Sequence, residues 1–121
     1  MRALVIDDEE DVRRLLALMM GRLGFETSEA VNGQDGLNQL NDPLGVDVVL
    51  LDWRMPVLDG AGFLKKKQAD AAVASIPVMM LTGLNEMNDV VTALELGAKE
   101  YLMKPITQRT LREKLALLGL A

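Results

Sequence analysis

Four apolar runs in this chain end in a residue able to hold or attack a charged phosphoryl group. Residues 3–6 (ALVI) end in Asp7-Asp8, 47–51 (DVVLL) in Asp52, 77–81 (PVMML) in Thr82 and 99–103 (KEYLM) in Lys104. Singly, each has a plainer use: Asp7-Asp8 or Thr82 as a helix cap, Asp52 as a turn residue, Lys104 as an exposed loop lysine. Together they lie at the same end of one sheet. If the first and third runs are neighbouring strands, Asp7, Asp8 and Asp52 crowd together, and one of them takes a proton unless a cation intervenes. Lys104 brings one positive charge. Mg²⁺, which favours a few carboxylates with carbonyl and water oxygens, brings two more. Asp52 is then placed to attack phosphorus. Mg²⁺, Lys104 and Thr82 are left for the three equatorial phosphoryl oxygens.

The elements that must position these residues follow from pattern. The run ending at Asp52 is continuous and rich in β-branched residues, as in a strand buried on both faces of a parallel sheet. Pro56 and Asp59-Gly60 force a loop after it. The 3–6 run is followed by Val12, Leu15, Leu16, Met19, Met20 and Leu23 at helical spacing, with acids 9–11 in the first turn and Gly24 as the stop. A weaker strand near 25–30 reads as an edge, and Asn32-Gly33 turns into a short helix carrying Leu37 and Leu40. A helix over 61–68 points Phe63 and Leu64 inward and leaves Lys65–Lys67 as a solvated face. A helix over 86–96 buries Val90, Val91 and Leu94, and one over 107–118 presents Leu111, Leu115 and Leu118. Five strands alternating with five helices predict an α/β fold, a (βα)5 doubly wound five-stranded parallel sheet. Ligands of such sheets bind outside the carboxyl ends of the strands.

Bulk composition narrows the function classes. With 121 residues, half of them hydrophobic and 26% charged, the chain reads as one soluble globular domain spanning 1–121. A net charge of −5 disfavours a nucleic-acid surface. No cysteine means no disulfide and no thiolate metal site, and no histidine means no imidazole base and no phosphohistidine on this chain. The N-terminal apolar stretch is too short for a signal peptide, and no run approaches the roughly 18 residues of a membrane span. The expectation is a cytoplasmic protein with no membrane partner.

The quartet VIDDEE, DWRMPVLDG, LTG and YLMKP, in this order and spacing, resembles the receiver domains of two-component response regulators, of the CheY-like type. The likeness covers essentially the whole chain. It implies the strand order 2-1-3-4-5 of the flavodoxin-like fold, Asp52 as phosphoacceptor, and Mg²⁺ held by Asp8, Asp52 and the backbone carbonyl of Arg54, with Asp7 acting through a metal-bound water. It further implies phosphoryl contacts from Thr82 and Lys104, a cis Lys104–Pro105 peptide, and a switch made of Thr82 and Tyr101. Two positions depart from the CheY pattern: Arg54 stands for an Asn and Leu84 for a Glu. Both flank the path of the attacking water, so the lifetime of the acyl phosphate does not carry over. Arg54 could pair with the phosphoryl group or, in the free state, with an acid.

The resemblance implies a phosphorelay switch rather than an enzyme. A partner histidine kinase or phosphotransfer protein would donate from phosphohistidine to Asp52. Thr82 and Lys104 would move inward, Tyr101 would rotate, and the surface of the fourth helix, fifth strand and last helix would engage a target protein. The chain would act as a monomer or a phosphorylation-dependent dimer, either stand-alone or as part of a longer regulator. Two rivals remain at this point. An Asp-nucleophile phosphohydrolase would usually carry a second acid where Arg54 sits. A phosphorylation-independent interaction domain would have lost a pocket residue, and none is missing.

Overall fold

The structure is a computed structural model and describes residues 1–83 and 86–120. Its elements alternate: β1 Arg2–Ile6, α1 Glu10–Arg22, β2 Glu26–Ala30, α2 Gly33–Leu40, β3 Val48–Asp52, α3 Gly60–Gln68, β4 Val78–Thr82, α4 Met87–Glu95, β5 Glu100–Met103 and α5 Gln108–Leu117. The strands form one parallel sheet in the order β2-β1-β3-β4-β5. The doubly wound expectation and its order both hold, and β2, the most polar strand, lies at an edge.

Strand alternation divides the core in two. Leu4, Ile6, Val49, Leu51, Val78 and Met80 face one side, with Phe63 and Leu64 of α3 and Val90 and Ala93 of α4. Ala3, Val5, Val48, Leu50, Met79 and Leu81 face the other, with Leu16 and Met20 of α1 and Leu111 and Leu115 of α5. Both sheet faces are therefore sealed, and the strand ends are left as the place where polar chemistry can meet solvent. The helix starts are locally determined: Asn32, Asp59 and Thr107 accept backbone N–H groups at the starts of α2, α3 and α5. Gly24 (φ +93°) and Gly97 (φ +110°) take the left-handed conformation that ends α1 and α4.

Three expectations need correction. Leu15 of α1 is exposed, because Leu16, Ala17 and Met20 form the buried stripe. Val91 and Leu94 of α4 are 59% and 45% exposed rather than buried. The helix instead buries Val90 with the small Ala93, three residues on, and this turns the larger residues outward. Lys67 does not belong to the solvated face of Lys65 and Lys66. It is 1% exposed, and its ammonium donates to the Ala74 carbonyl at 2.8 Å, closing the turns at 70–76.

Burial, and then the charge of Lys99, lowers the Lys67 pKa to about 8 from an ordinary 10.5. The folded state thus binds fewer protons than the unfolded chain between those values, and stability rises with pH across that window. Urea unfolding should show wild type gaining up to about 3 kcal/mol on Lys67→Met between pH 7 and 10; parallel pH profiles would show that this amine carries no such cost.

Candidate functional site

The register of the sheet assembles the acids. Ile6 pairs with Leu51, so Asp7, just past β1, sits beside Asp52, the last residue of β3. Asp7 is fully buried, Asp52 nearly so, and Asp8 is exposed. One oxygen from each of the three lies within 4.8 Å of the others. Asp7 Oδ1 accepts the Glu9 N–H at 2.9 Å, while its buried Oδ2 has no hydrogen-bond partner.

Lys104 faces this group from beyond β5. Its Nζ lies 3.3 Å from Asp52 Oδ1 and 3.8 Å from Asp7 Oδ2. Its backbone N–H donates to the Thr82 carbonyl at 2.7 Å, continuing the ladder past Met103, and the Lys104–Pro105 peptide is cis. Thr82 ends β4 between the two, fully buried, with its hydroxyl donating to the Gly83 carbonyl at 3.1 Å. Asp7, Asp8, Asp52, Thr82 and Lys104 therefore share one end of the sheet. Tyr101 stands apart, half-buried within β5, with the Lys114 ammonium 4.5 Å from its ring centre.

The electrostatics follow from burial and a shortage of positive charge. Desolvation, reinforced by the charge of Asp7, pushes the Asp52 carboxyl up to about 7, and burial also raises Asp7. Desolvation disfavours the Lys104 ammonium, but Asp52 and Asp7 outweigh it and hold its pKa above the ordinary lysine value. One ammonium does not balance three carboxylates. The orphaned Asp7 Oδ2 and an all-oxygen donor set fit a hard divalent cation such as Mg²⁺.

The loop after β3 is held tightly. Gly60 N–H donates to the Trp53 carbonyl at 2.9 Å, and Gly33 N–H to the Leu58 carbonyl at 2.9 Å. A Cβ at Gly60 would lie 2.6 Å from Trp53 Cε3 and 3.1 Å from the Asp52 carbonyl oxygen, so only glycine fits there. Leu58 N–H donates to the Pro56 carbonyl at 2.8 Å across Val57, whose φ of +69° makes this a strained γ-turn. Arg54 lies in this loop, exposed and paired with Asp89 and Glu86 of the α4 start. The other CheY-departing position, Leu84, lies outside the described residues.

Comparison with known proteins gives the family. The model for the response regulator receiver domain matches residues 3–116. The chain belongs to that family. It is 35% identical over 116 residues to the chemotaxis protein CheY1 of Helicobacter pylori, covering 95% of this chain and 94% of that one. It is 38% identical over 110 residues to the phosphate regulon transcriptional regulatory protein PhoB of Klebsiella pneumoniae, covering 91% of this chain but 48% of that protein. Among solved structures, the receiver domain of NtrX from Brucella abortus matches with a TM-score of 0.86 at 31% identity, covering 98% of this chain and 97% of that one. The Vibrio cholerae chemotaxis protein CheY4 matches with a TM-score of 0.87 at 26% identity, covering 96% of each.

The structure adds residues to this receiver site that the sequence pattern does not announce. Arg13, with its side chain 11% exposed, donates to the Asp7 carbonyl at 3.1 Å and pairs with Glu29 at 3.0 Å, fixing the β1 tip. Lys114 pairs with Glu100 at 2.6 Å while lying over Tyr101. Neither pairing carries a motif, because each joins elements whose contact depends on the folded sheet.

A carboxyl raised to about 7 stabilises the fold fully below pH 3.8, and that contribution is lost as pH rises through 7. In chelator, Asp52→Asn should therefore outlast wild type in thermal unfolding at pH 8 by roughly 1–4 kcal/mol, with the gap closing toward pH 4. A pH-independent gap, or none, would contradict the crowding of these acids.

Proposed function

We propose that this receiver domain, read as a single unit over residues 1–121, accepts a phosphoryl group on Asp52. Receiver domains are phosphoacceptor switches that work with histidine kinases and downstream targets, rather than classical enzymes. One observation carries the assignment to Asp52: its carboxyl ends the central strand, 3.3 Å from the Lys104 ammonium and within 4.8 Å of the Asp7 and Asp8 oxygens. Asp8 and Asp52, with the backbone carbonyl of Arg54, would hold Mg²⁺ directly, and Asp7 would hold it through a bound water. When bound, that ion neutralises the acids and withdraws charge from the phosphoryl oxygens.

The chain's own groups do the rest. An Asp52 oxygen attacks phosphorus in line, and the donor leaves with the electron pair of the bond that breaks. The Lys104 ammonium, already aimed at Asp52 Oδ1, turns to a phosphoryl oxygen. The Thr82 hydroxyl gives up the Gly83 carbonyl for another. That inward movement would vacate space for Tyr101 and reshape the α4–β5–α5 face that meets a target, so that a local change of charge biases a two-state element. The donor would be phosphohistidine on a kinase or phosphotransfer protein, since this chain has no histidine. Among the described residues no helix is long and apolar enough to cross a membrane.

Incubated with acetyl phosphate and Mg²⁺, wild type should gain one phosphoryl group, as read by intact mass. Asp52→Asn should gain none, and chelation of Mg²⁺ should suppress uptake at least tenfold. Stable labelling of Asp52→Asn at another residue would overturn the assignment.

A further inference from the structure

Arg54 stands two residues after Asp52, and its guanidinium crosses from the β3–α3 loop to the start of α4. Nη2 lies 3.0 Å from Asp89 Oδ2 and Nε 3.6 Å from Glu86 Oε1. Among the described residues little else fixes this end of α4, and no side chain caps it, unlike the starts of α2, α3 and α5. Of its nine residues only Val90 and Ala93 are buried, while Met87, Val91 and Leu94 are exposed. Glu86 Oε2 also accepts the Gly83 N–H at 3.4 Å, so the same guanidinium is tied to the segment that follows Thr82.

We propose that Arg54 is an exchangeable latch, holding the first turn of α4 through Asp89 and Glu86 while Asp52 is free and leaving them for the phosphoryl group when Asp52 carries one. This rests on the phosphoacceptor reading and adds the route by which the state of Asp52 reaches α4. The exchange is physically cheap. Arg54 is 68% exposed, and ion pairs in such positions contribute little. Cα atoms two residues apart are at most about 7 Å distant, within the span of an arginine side chain. A phosphoryl dianion offers the guanidinium fork a bidentate, doubly charged partner, in place of single contacts to two separate carboxylates. Once the latch moves, α4 is held, among the described residues, by its two buried side chains and its packing against β4 and α3. Coupling of this kind is reciprocal: what holds Arg54 on Asp89 also opposes the phosphoryl group, so weakening one must strengthen the other.

The test is titration of the full chain with beryllofluoride in Mg²⁺, followed by the fluorescence of Trp53, the single tryptophan, buried next to Asp52. Asp89→Asn should bind the mimic about two- to fivefold more tightly than wild type, and Arg54→Asn more weakly by a similar factor. In the Arg54→Asn background, Asp89→Asn should change nothing, because the two act through one contact. Unchanged or weaker binding by Asp89→Asn overturns the latch. So does tighter binding that persists without Arg54, which would be a bare charge effect. A wild type that binds no mimic overturns the phosphoacceptor reading and the latch together, whereas binding without the Asp89 effect overturns the latch alone.

Discussion

Two buried carboxylates share one ammonium, and the rest of the site is arranged around that imbalance. Asp7 and Asp52 lie at the tips of adjacent strands, where the chain has removed most of the water that would stabilise them. Lys104 comes from two strands away, roughly 10 Å across the sheet at the usual spacing. Its long side chain brings Nζ to 3.3 Å from Asp52 Oδ1. The shortage of cation leaves the pocket under repulsion. A divalent ion held there, as proposed, would relieve it with no need to build a new site.

That repulsion is sustained by two apolar layers that do not depend on it. The alternating residues of β1, β3 and β4 feed separate clusters on either side of the sheet, and both are complete without the polar end. Stability therefore resides in the body of the sheet and strain at its carboxyl edge, the division expected when function and folding make opposite demands on one chain.

The strands and their polar tips were legible because a doubly buried strand has no choice but to be apolar until it ends. Asp52, Thr82 and Lys104 interrupt their runs at the carboxyl edge, where the apolar layers end. The helix faces were harder to read. In α4, Val90 and Val91 are equivalent by composition, and which one is buried depends on how the helix packs, with Ala93 three residues on from Val90 sharing the buried face. Lys67 looked like its two neighbours, yet the turns at 70–76 bring the Ala74 carbonyl back to its ammonium and make a buried amine useful. The partners of Arg54 were invisible for a third reason. An ion pair between residues 35 apart leaves no local trace, and the sequence could only leave open that some acid would meet this cation.

The γ-turn at Val57 makes the edge of the pocket a fixed part of the fold. With the Leu58 carbonyl fastened by Gly33 and the Trp53 carbonyl by Gly60, the rim beside Asp52 is pinned at both ends and bent sharply between them. The ordering entropy of that rim is spent when the chain folds. If Asp52 accepts a phosphoryl group as proposed, a small donor would meet this rim already shaped and need not supply binding energy to order it, whatever Lys104 and Thr82 then do.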